Sequence, residues 1–314
     1  MRTEGLKVYF KREEGLFRSS YVHAVDGVTL SLKRGELLEV IGESGSGKTT
    51  LGRALVGLQK PTAGRVYYMG KDVLRLKGEE WEDYRRSVQL IHQDPYSSLN
   101  PYRTIYDSMA SPLLRWKICP RSQVVSKVYE LLEFVGLSPP ELYASKYPHQ
   151  LSGGQRQRIA IASVLGVNPR VIVADEIVSM IDVSLRVGLL DLLAEVRKRS
   201  ETSYVFITHD LAVGRYFSHK LGGGRVAVMY RGKVVESGKI EEIVNKPLHP
   251  YTQLLVESAK EDQPEGEPKA ANRQVVQGKG CTYASRCPFA MPVCFDVEPP
   301  IKTVDGREVA CHLY

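Results

Sequence analysis

Short apolar runs alternate along the chain with longer stretches in which apolar residues return every three or four positions. The runs VTLSL, ELLEVI, SVQLIHQ, RVIVAD, SYVFITH, RVAVMY and KVVES are rich in Val, Ile and aromatic residues and predict strands. Strands that alternate with helical patterns predict an α/β fold with a mainly parallel sheet. Between His92 and Val171 the strand signal stops. There QVVSKVYELLEFVGL places Val124, Val125, Val128, Leu131, Leu132 and Val135 on one helical face, with Gly136 as the stop. A helical insertion, about residues 95–165, is therefore expected to interrupt the sheet. No internal repeat is visible.

Composition narrows the class. With 314 residues and 43% hydrophobic content, the chain can bury a large core and hold one big domain plus a smaller one. The start, MRTEGLKVYFKREEG, is too charged for a secretory signal, and no run approaches the roughly 18 apolar residues of a membrane span. A cytosolic chain is expected. The net charge of +7 would suit an anionic partner, yet acidic and basic residues alternate and no long basic run occurs. A mixed, solvated surface is expected, and no nucleic-acid partner.

The candidate chemistry begins at IGESGSGKTT, which follows the apolar run LLEVI and precedes a helical pattern. Gly42, Gly47, Lys48 and Thr49 meet the phosphate-loop spacing G-x-x-x-x-G-K-[ST]. Glycines let successive backbone N–H groups converge on phosphate oxygens, and the following helix adds its positive end. The whole loop, Gly42, Glu43, Ser44, Gly45, Ser46, Gly47, Lys48, Thr49 and Thr50, is thus a candidate ATP or GTP site, with Lys48 on the β and γ phosphates and Thr49 on Mg²⁺. A second anion site is predicted at LSGGQRQRIAIASVLG, where Ser152, Gly153, Gly154 and Gln155 open a helix. An ordinary N-cap would read the same way in isolation. In VIVADE an apolar strand delivers Asp175 to the carboxyl end of the sheet, where it can hold Mg²⁺ directly or through water.

Taken together, IGESGSGKTTLGRAL, QDPYSSLNP, YPHQLSGGQRQRIAIA, FITHDL and PLHPYTQLL resemble the ATP-binding cassette (ABC) ATPases. More narrowly, they resemble the ATPase subunits of oligopeptide and dipeptide importers, from about Tyr21 onward. The resemblance implies a P-loop NTPase cassette over residues 1–257 with an inserted helical subdomain. It implies that Glu176 polarises the attacking water, that Gln93 reaches Mg²⁺ or that water, and that His209 contacts the γ phosphate. Ser152 and Gly154 would reach the γ phosphate held by an opposite cassette, and Asp182 would communicate across that interface. The implied partners are a second ATPase subunit, identical or homologous, two membrane permeases and, indirectly, an external substrate-binding protein. The implied place is the cytoplasmic face of the cell membrane. An oligosaccharide importer, or a non-transport cassette of a phosphonate-cleaving or nucleic-acid-processing complex, is the alternative.

Some positions depart from the family pattern. Ile177 stands where proline usually follows the glutamate, Ile181 where leucine precedes the loop aspartate, and Ser163 where arginine is common. The adenine-stacking aromatic is Tyr21 or Phe17, with Tyr21 favoured; an aromatic there could equally be packing.

Residues 258–280 are rich in charge, proline and alanine and predict a linker. The extension beyond it, 281–314, holds Cys281, Cys287, Cys294 and Cys311, separated by five, six and sixteen residues. Cys119 lies far away and is expected to be a packing residue. Four clustered cysteines in a cytosolic protein point to metal before disulfides, and the spacing lacks the tight pairs that zinc prefers. Four thiolates suit a [4Fe–4S] cluster, and the segment resembles the cysteine-bearing tail of peptide-importer ATPases, in which such a cluster is known. Zinc, disulfides and free thiols stay open, as does His312 as a substitute ligand.

Overall fold

The computed structural model describes residues 1–13, 19–179, 181, 183–259 and 279–314. Phe17, Asp182 and most of the predicted linker lie outside them. The strands are β1 (Arg2–Glu13), β2 (Ser19–Val28), β3 (Leu37–Ile41), β4 (Ala63–Tyr68), β5 (Lys71–Asp72), β6 (Val88–Ile91), β7 (Val171–Asp175), β8 (Ser203–Thr208), β9 (Arg225–Tyr230), β10 (Lys233–Lys239), β11 (Ile301–Val304) and β12 (Arg307–Ala310). They form a four-stranded sheet of order β2-β1-β4-β5 and an eight-stranded sheet of order β11-β12-β10-β9-β3-β8-β7-β6. In the larger sheet β9, β3, β8, β7 and β6 run parallel, while β10, β12 and β11 continue from β9 antiparallel. Every residue of β3, β7 and β8 is buried, which is why these strands read as unbroken apolar runs.

The helices are α1 (Lys48–Leu55), α2 (Gly78–Ser87), α3 (Ile105–Arg115), α4 (Val124–Phe134), α5 (Pro140–Ala144), α6 (Gly153–Leu165), α7 (Val183–Ser200), α8 (Leu211–Lys220), α9 (Ile240–Asn245), α10 (Pro250–Ser258) and α11 (Val293–Asp296). One face of the large sheet, with Val40, Val173, Val205 and Ile207, packs on Leu51 and Leu55 of α1 and on Leu6, Val8 and Val66 of the small sheet. On the other face Ile172, Tyr204 and Phe206 meet Leu189 and Leu193 of α7 and Phe217 of α8. Between β6 and β7, helices α3 to α6 share a separate core around Met109, Leu113, Val128, Leu132 and Ile159.

Three details differ from the sequence reading. VTLSL is not a strand: only Val28 belongs to β2, and the rest is tied to the chain start by Thr3 N–H on Leu30 O and Leu32 N–H on Met1 O. Val125 is 46% exposed, turned away from the face that Val124, Val128, Leu131 and Leu132 bury. The β1–β2 pair and the β11–β12 pair carry many charges and no apolar run, so neither was expected.

The cysteine-bearing extension continues the large sheet. β12 pairs with β10 through Glu236 opposite Val309 and Ser237 opposite Glu308. Arg307 and Glu236, both almost fully buried, lie 3.9 Å apart. Arg307 Nη1 also donates to Lys246 O, and the Glu236 carboxylate accepts from Leu248 N at 3.0 Å and His249 N at 2.9 Å. Buried charges persist only where partners satisfy them, and here the partners join the extension to the PLHPYTQLL segment. Among the described residues no helix is long and apolar enough to cross a membrane.

Candidate active site

The phosphate loop leaves the buried end of β3 and enters α1 at Gly47, whose φ of 102° is the left-handed conformation that glycine adopts without penalty. A Cβ at Gly47 would sit 1.9 Å from Ala24 O, so the loop has no room for another residue there. Lys48, 4% exposed, donates from Nζ to Gly42 O at 2.7 Å and to Glu43 O at 3.0 Å. Burial lowers its pKa, against the raising influence of Glu176, Asp175 and Glu43.

Thr49 Oγ1 donates to Asp175 Oδ1 at 3.0 Å, which joins the start of α1 to the end of β7. Burial raises the Asp175 pKa, and the Glu176 charge adds to it, while the Thr49 bond and the Arg53 and Lys48 charges oppose. Beyond Asp175 the chain turns left-handed at Glu176, φ 47°, a conformation that costs a non-glycine residue about 1–3 kcal/mol. Glu176 N on Ile207 O at 3.0 Å and Ser179 Oγ on Glu176 O at 2.7 Å hold the turn. That turn brings Asp175 and Glu176, consecutive in sequence, to the same loop. Glu176 Oε1 lies 3.9 Å from Lys48 Nζ, its Oε2 accepts from Gln93 Nε2 at 3.0 Å, and His209 Nδ1 is 3.5 Å from the same oxygen. The structure therefore brings Lys48, Thr49, Gln93, Asp175, Glu176 and His209 into one constellation. The oxygen donors Thr49, Asp175 and Gln93 suit a hard divalent cation such as Mg²⁺.

A cleft of about 850 Å³ opens over this group. Ser44, Gly45, Gly47, Thr49 and Thr50 form its floor, and Tyr21 and His23 of β2 one wall. Gly280, at the end of the predicted linker, and Cys281, Thr282, Ser285 and Phe295 of the C-terminal extension also line it. Tyr21 is 53% exposed. Ser46 is buried, with no hydrogen-bond partner for its hydroxyl.

The signature loop stands apart. Ser152 caps α6, its Oγ accepting from Gln155 N at 3.3 Å while Gln155 Oε1 accepts from Ser152 N at 3.0 Å, a reciprocal capping box. Ser152 and Gly153 are exposed, Gly154 and Gln155 half-buried, and none lines the cleft above Lys48. One turn on, the buried Arg156 sits with its guanidinium 3.7 Å from the centre of the Tyr96 ring and donates to Pro148 O and Leu151 O. It thereby links QDPYSSLNP to the signature loop. Ile177 and Ile181 are buried in the core under α7, and the Ser163 hydroxyl is buried without a partner.

The four C-terminal cysteines are unpaired, Cys294 and Cys311 buried and Cys281 and Cys287 half-buried. Cys281 N–H donates to Cys294 O at 2.7 Å. Burial raises the thiols of Cys281, Cys287 and Cys311, and each is raised further by two of its cysteine neighbours. Among the described residues no group of three or more His, Cys, Asp and Glu is arranged to hold a metal ion. His312 pairs its Nε2 with Val297 O at 2.9 Å. Cys119 packs against the core of α3 to α6.

Sequence reasoning missed a further contact. Arg286, one residue before Cys287, reaches the phosphate loop and holds Glu43 with both nitrogens, Nη1 to Oε2 at 2.8 Å and Nη2 to Oε1 at 3.0 Å. Tyr251 supports the same residue, its hydroxyl accepting from Glu43 N at 2.8 Å. HPYTQLL had marked Tyr251 by resemblance only; nothing in the sequence pairs positions so far apart.

A glycine loop around a buried lysine, a threonine–aspartate pair suited to Mg²⁺ and a glutamate directly after that aspartate define a P-loop ATPase. The model of the ABC transporter family matches residues 25–179, and that of the oligopeptide/dipeptide transporter C-terminal region matches residues 235–294. The chain is 41% identical to the oligopeptide transport ATP-binding protein AppF of Bacillus subtilis over 98% of this chain and 95% of that one. It is 40% identical to the oligopeptide transport ATP-binding protein OppF of Salmonella typhimurium, over 98% and 93%. A solved dimeric ATP-binding cassette in a post-hydrolysis state with ADP and Pi superposes with a TM-score of 0.66 at 28% identity, covering 76% of this chain and 98% of that one. This chain belongs to the ABC transporter ATP-binding proteins, in the oligopeptide and dipeptide transporter branch.

Proposed function

We propose that this chain is the ATP-hydrolysing subunit of a peptide importer, working on the cytoplasmic face of the membrane with separate permeases and an external binding protein. The observation that carries the chemistry is the convergence of Gln93, His209 and Lys48 on Glu176. ATP replaces two backbone carbonyls as the partner of Lys48, whose ammonium then bridges the β and γ phosphates. Mg²⁺ held by Thr49, Asp175 and Gln93 would neutralise charge between those phosphates. Glu176, oriented by the Gln93 amide, takes a proton from the water that attacks the γ phosphorus in line with the departing ADP oxygen. His209 holds the γ phosphate, and Tyr21 stacks on adenine.

A second cassette completes the site. Its Ser152 and Gly154 face the γ phosphate across the dimer, so ATP favours closure and hydrolysis releases it. Helices α3 to α6 act as the helical subdomain of the cassette, and residues from Gln93 to Arg103 receive the permease, linked to the signature loop through Tyr96 and Arg156. The test is uptake by the assembled importer in vesicles. ATP-dependent accumulation of di- or oligopeptides supports the reading; uptake of oligosaccharides alone, or of neither, contradicts it.

The extension is proposed to hold a [4Fe–4S] cluster on Cys281, Cys287, Cys294 and Cys311, with a structural role. Four free, buried or half-buried cysteines in one short extension, with Cys281 N–H bonded to Cys294 O, support this, because such a cluster is held by four thiolates. Protein purified without oxygen should contain iron and sulfide and lose both when any of the four becomes serine, while Cys119→Ser keeps them. Stoichiometric zinc without iron would overturn the assignment.

A further inference from the structure

The fork between Arg286 and Glu43 joins two regions 243 positions apart, the cysteine turn and the phosphate loop. Glu43 is tied through its side chain and through both of its backbone groups. Its carboxylate binds Arg286, its N–H donates to Tyr251, and its carbonyl accepts from Lys48 and also from Ser46 N at 3.2 Å. The peptide that holds the phosphate-binding ammonium is thus itself held from the C-terminal extension. Arg286 is fixed in turn: its N–H donates to Tyr283 O at 2.9 Å, and Tyr283 is buried against Tyr230 and Tyr251. Glu43 also places a negative charge beside a loop that must accept a polyanion, and a bidentate guanidinium is the partner that cancels such a charge with fixed geometry.

We propose that Arg286 is a positioning residue of the nucleotide site, which acts through Glu43 on the phosphate loop and so lets the C-terminal extension set the affinity for ATP. The proposal rests on the nucleotide-binding reading and is independent of what the cysteines hold. Without Arg286, the Glu43 carboxylate is freed next to the place of the triphosphate and the loop loses its lateral anchor. ATP binding weakens, while Glu176, Gln93 and Asp175 keep their mutual arrangement.

The experiment is a double-mutant cycle on the full chain, with ATP affinity from equilibrium dialysis and KM and kcat from steady-state hydrolysis. Arg286→Ala should weaken ATP binding roughly five- to tenfold, the scale of coupling between contacting residues, and raise KM by more than it lowers kcat. Arg286→Lys, which keeps the charge but not the fork, should fall between. In a Glu43→Gln background, where no carboxylate needs cancelling, Arg286→Ala should change affinity less than about twofold. An undiminished loss in that background means that the extension has merely lost its fold, and it overturns the proposal, as does wild-type affinity in Arg286→Ala. Failure of the unaltered chain to bind ATP would instead remove the nucleotide-site reading beneath it.

Discussion

At the phosphate loop Lys48 is buried, held by two carbonyls and flanked by Asp175 and Glu176, whereas at the signature loop Ser152 and Gly153 are exposed and the capping groups bond only each other. Both are helix N-termini with glycines at or just before the first turn, so both offer N–H groups to an anion. The first has its charges, and the proposed metal donors and base, assembled within one chain. The second is satisfied as an ordinary cap, and its nearby Arg156 is turned to Tyr96 and to backbone carbonyls. In the proposed reading, the chain holds nucleotide at its own phosphate loop, while the signature loop meets a phosphate that another surface brings to it.

The sharpest way to break that contrast is Lys48→Ala. Removing the buried ammonium should weaken ATP binding roughly a hundredfold, the cost of truncating a buried charged partner, as read by dialysis of the isolated chain. A loss below about threefold would mean that the loop is not assembled around its lysine. Ser152→Ala combined with Gly154→Asp asks the converse question. Turnover of the assembled complex should fall at least tenfold, the scale of losing transition-state donors, while ATP affinity of the isolated chain moves less than about twofold. Equal losses in both measurements would place the signature loop at the chain's own nucleotide.

How far this contrast was legible in the sequence depends on how local each feature is. The phosphate loop, the signature helix and the strand ending in Asp175 announce themselves because their chemistry sits in contiguous residues. The β1–β2 pair hides because charged positions interrupt its pattern, and its buried apolar set is reduced to Leu6, Val8, Val25 and Val28. VTLSL misleads for the opposite reason, being apolar and alternating in a segment that runs along the chain start without a full ladder. Val125 shows the limit of counting turns, since one step of 100° moved it off the buried stripe. The Arg286 contact was unreadable: an arginine beside a cysteine looks like tail chemistry until the sheet carries that tail across to Glu43.

A smaller effect sharpens what lies beneath the phosphate loop. Glu39 of β3 is fully buried with neither carboxylate oxygen bonded, and Gly214 of α8 leaves the space it occupies. Burial, with the Glu241 charge adding, pushes its pKa from 4.5 up to about 8. The folded chain thus keeps a proton that the unfolded chain releases. Its stability contribution is complete below the unfolded pKa and is lost as pH rises through about 8. The Tm should fall between about pH 5 and 8, and Glu39→Gln, neutral throughout, should flatten that fall by a few degrees. Parallel Tm curves for the two proteins would show that Glu39 is ionised in the fold.

The central claim is that Glu176, aimed by its left-handed turn and by Gln93, is the base that makes this site hydrolytic. The direct measurement is ATP binding and turnover by Glu176→Gln in the assembled complex. Glutamine keeps the shape and the contact with Gln93 but cannot accept the proton. Binding should persist within a few-fold, and turnover should fall by at least about a hundredfold, the scale of general-base catalysis. Turnover within threefold of the unaltered complex would contradict the account and move the base elsewhere.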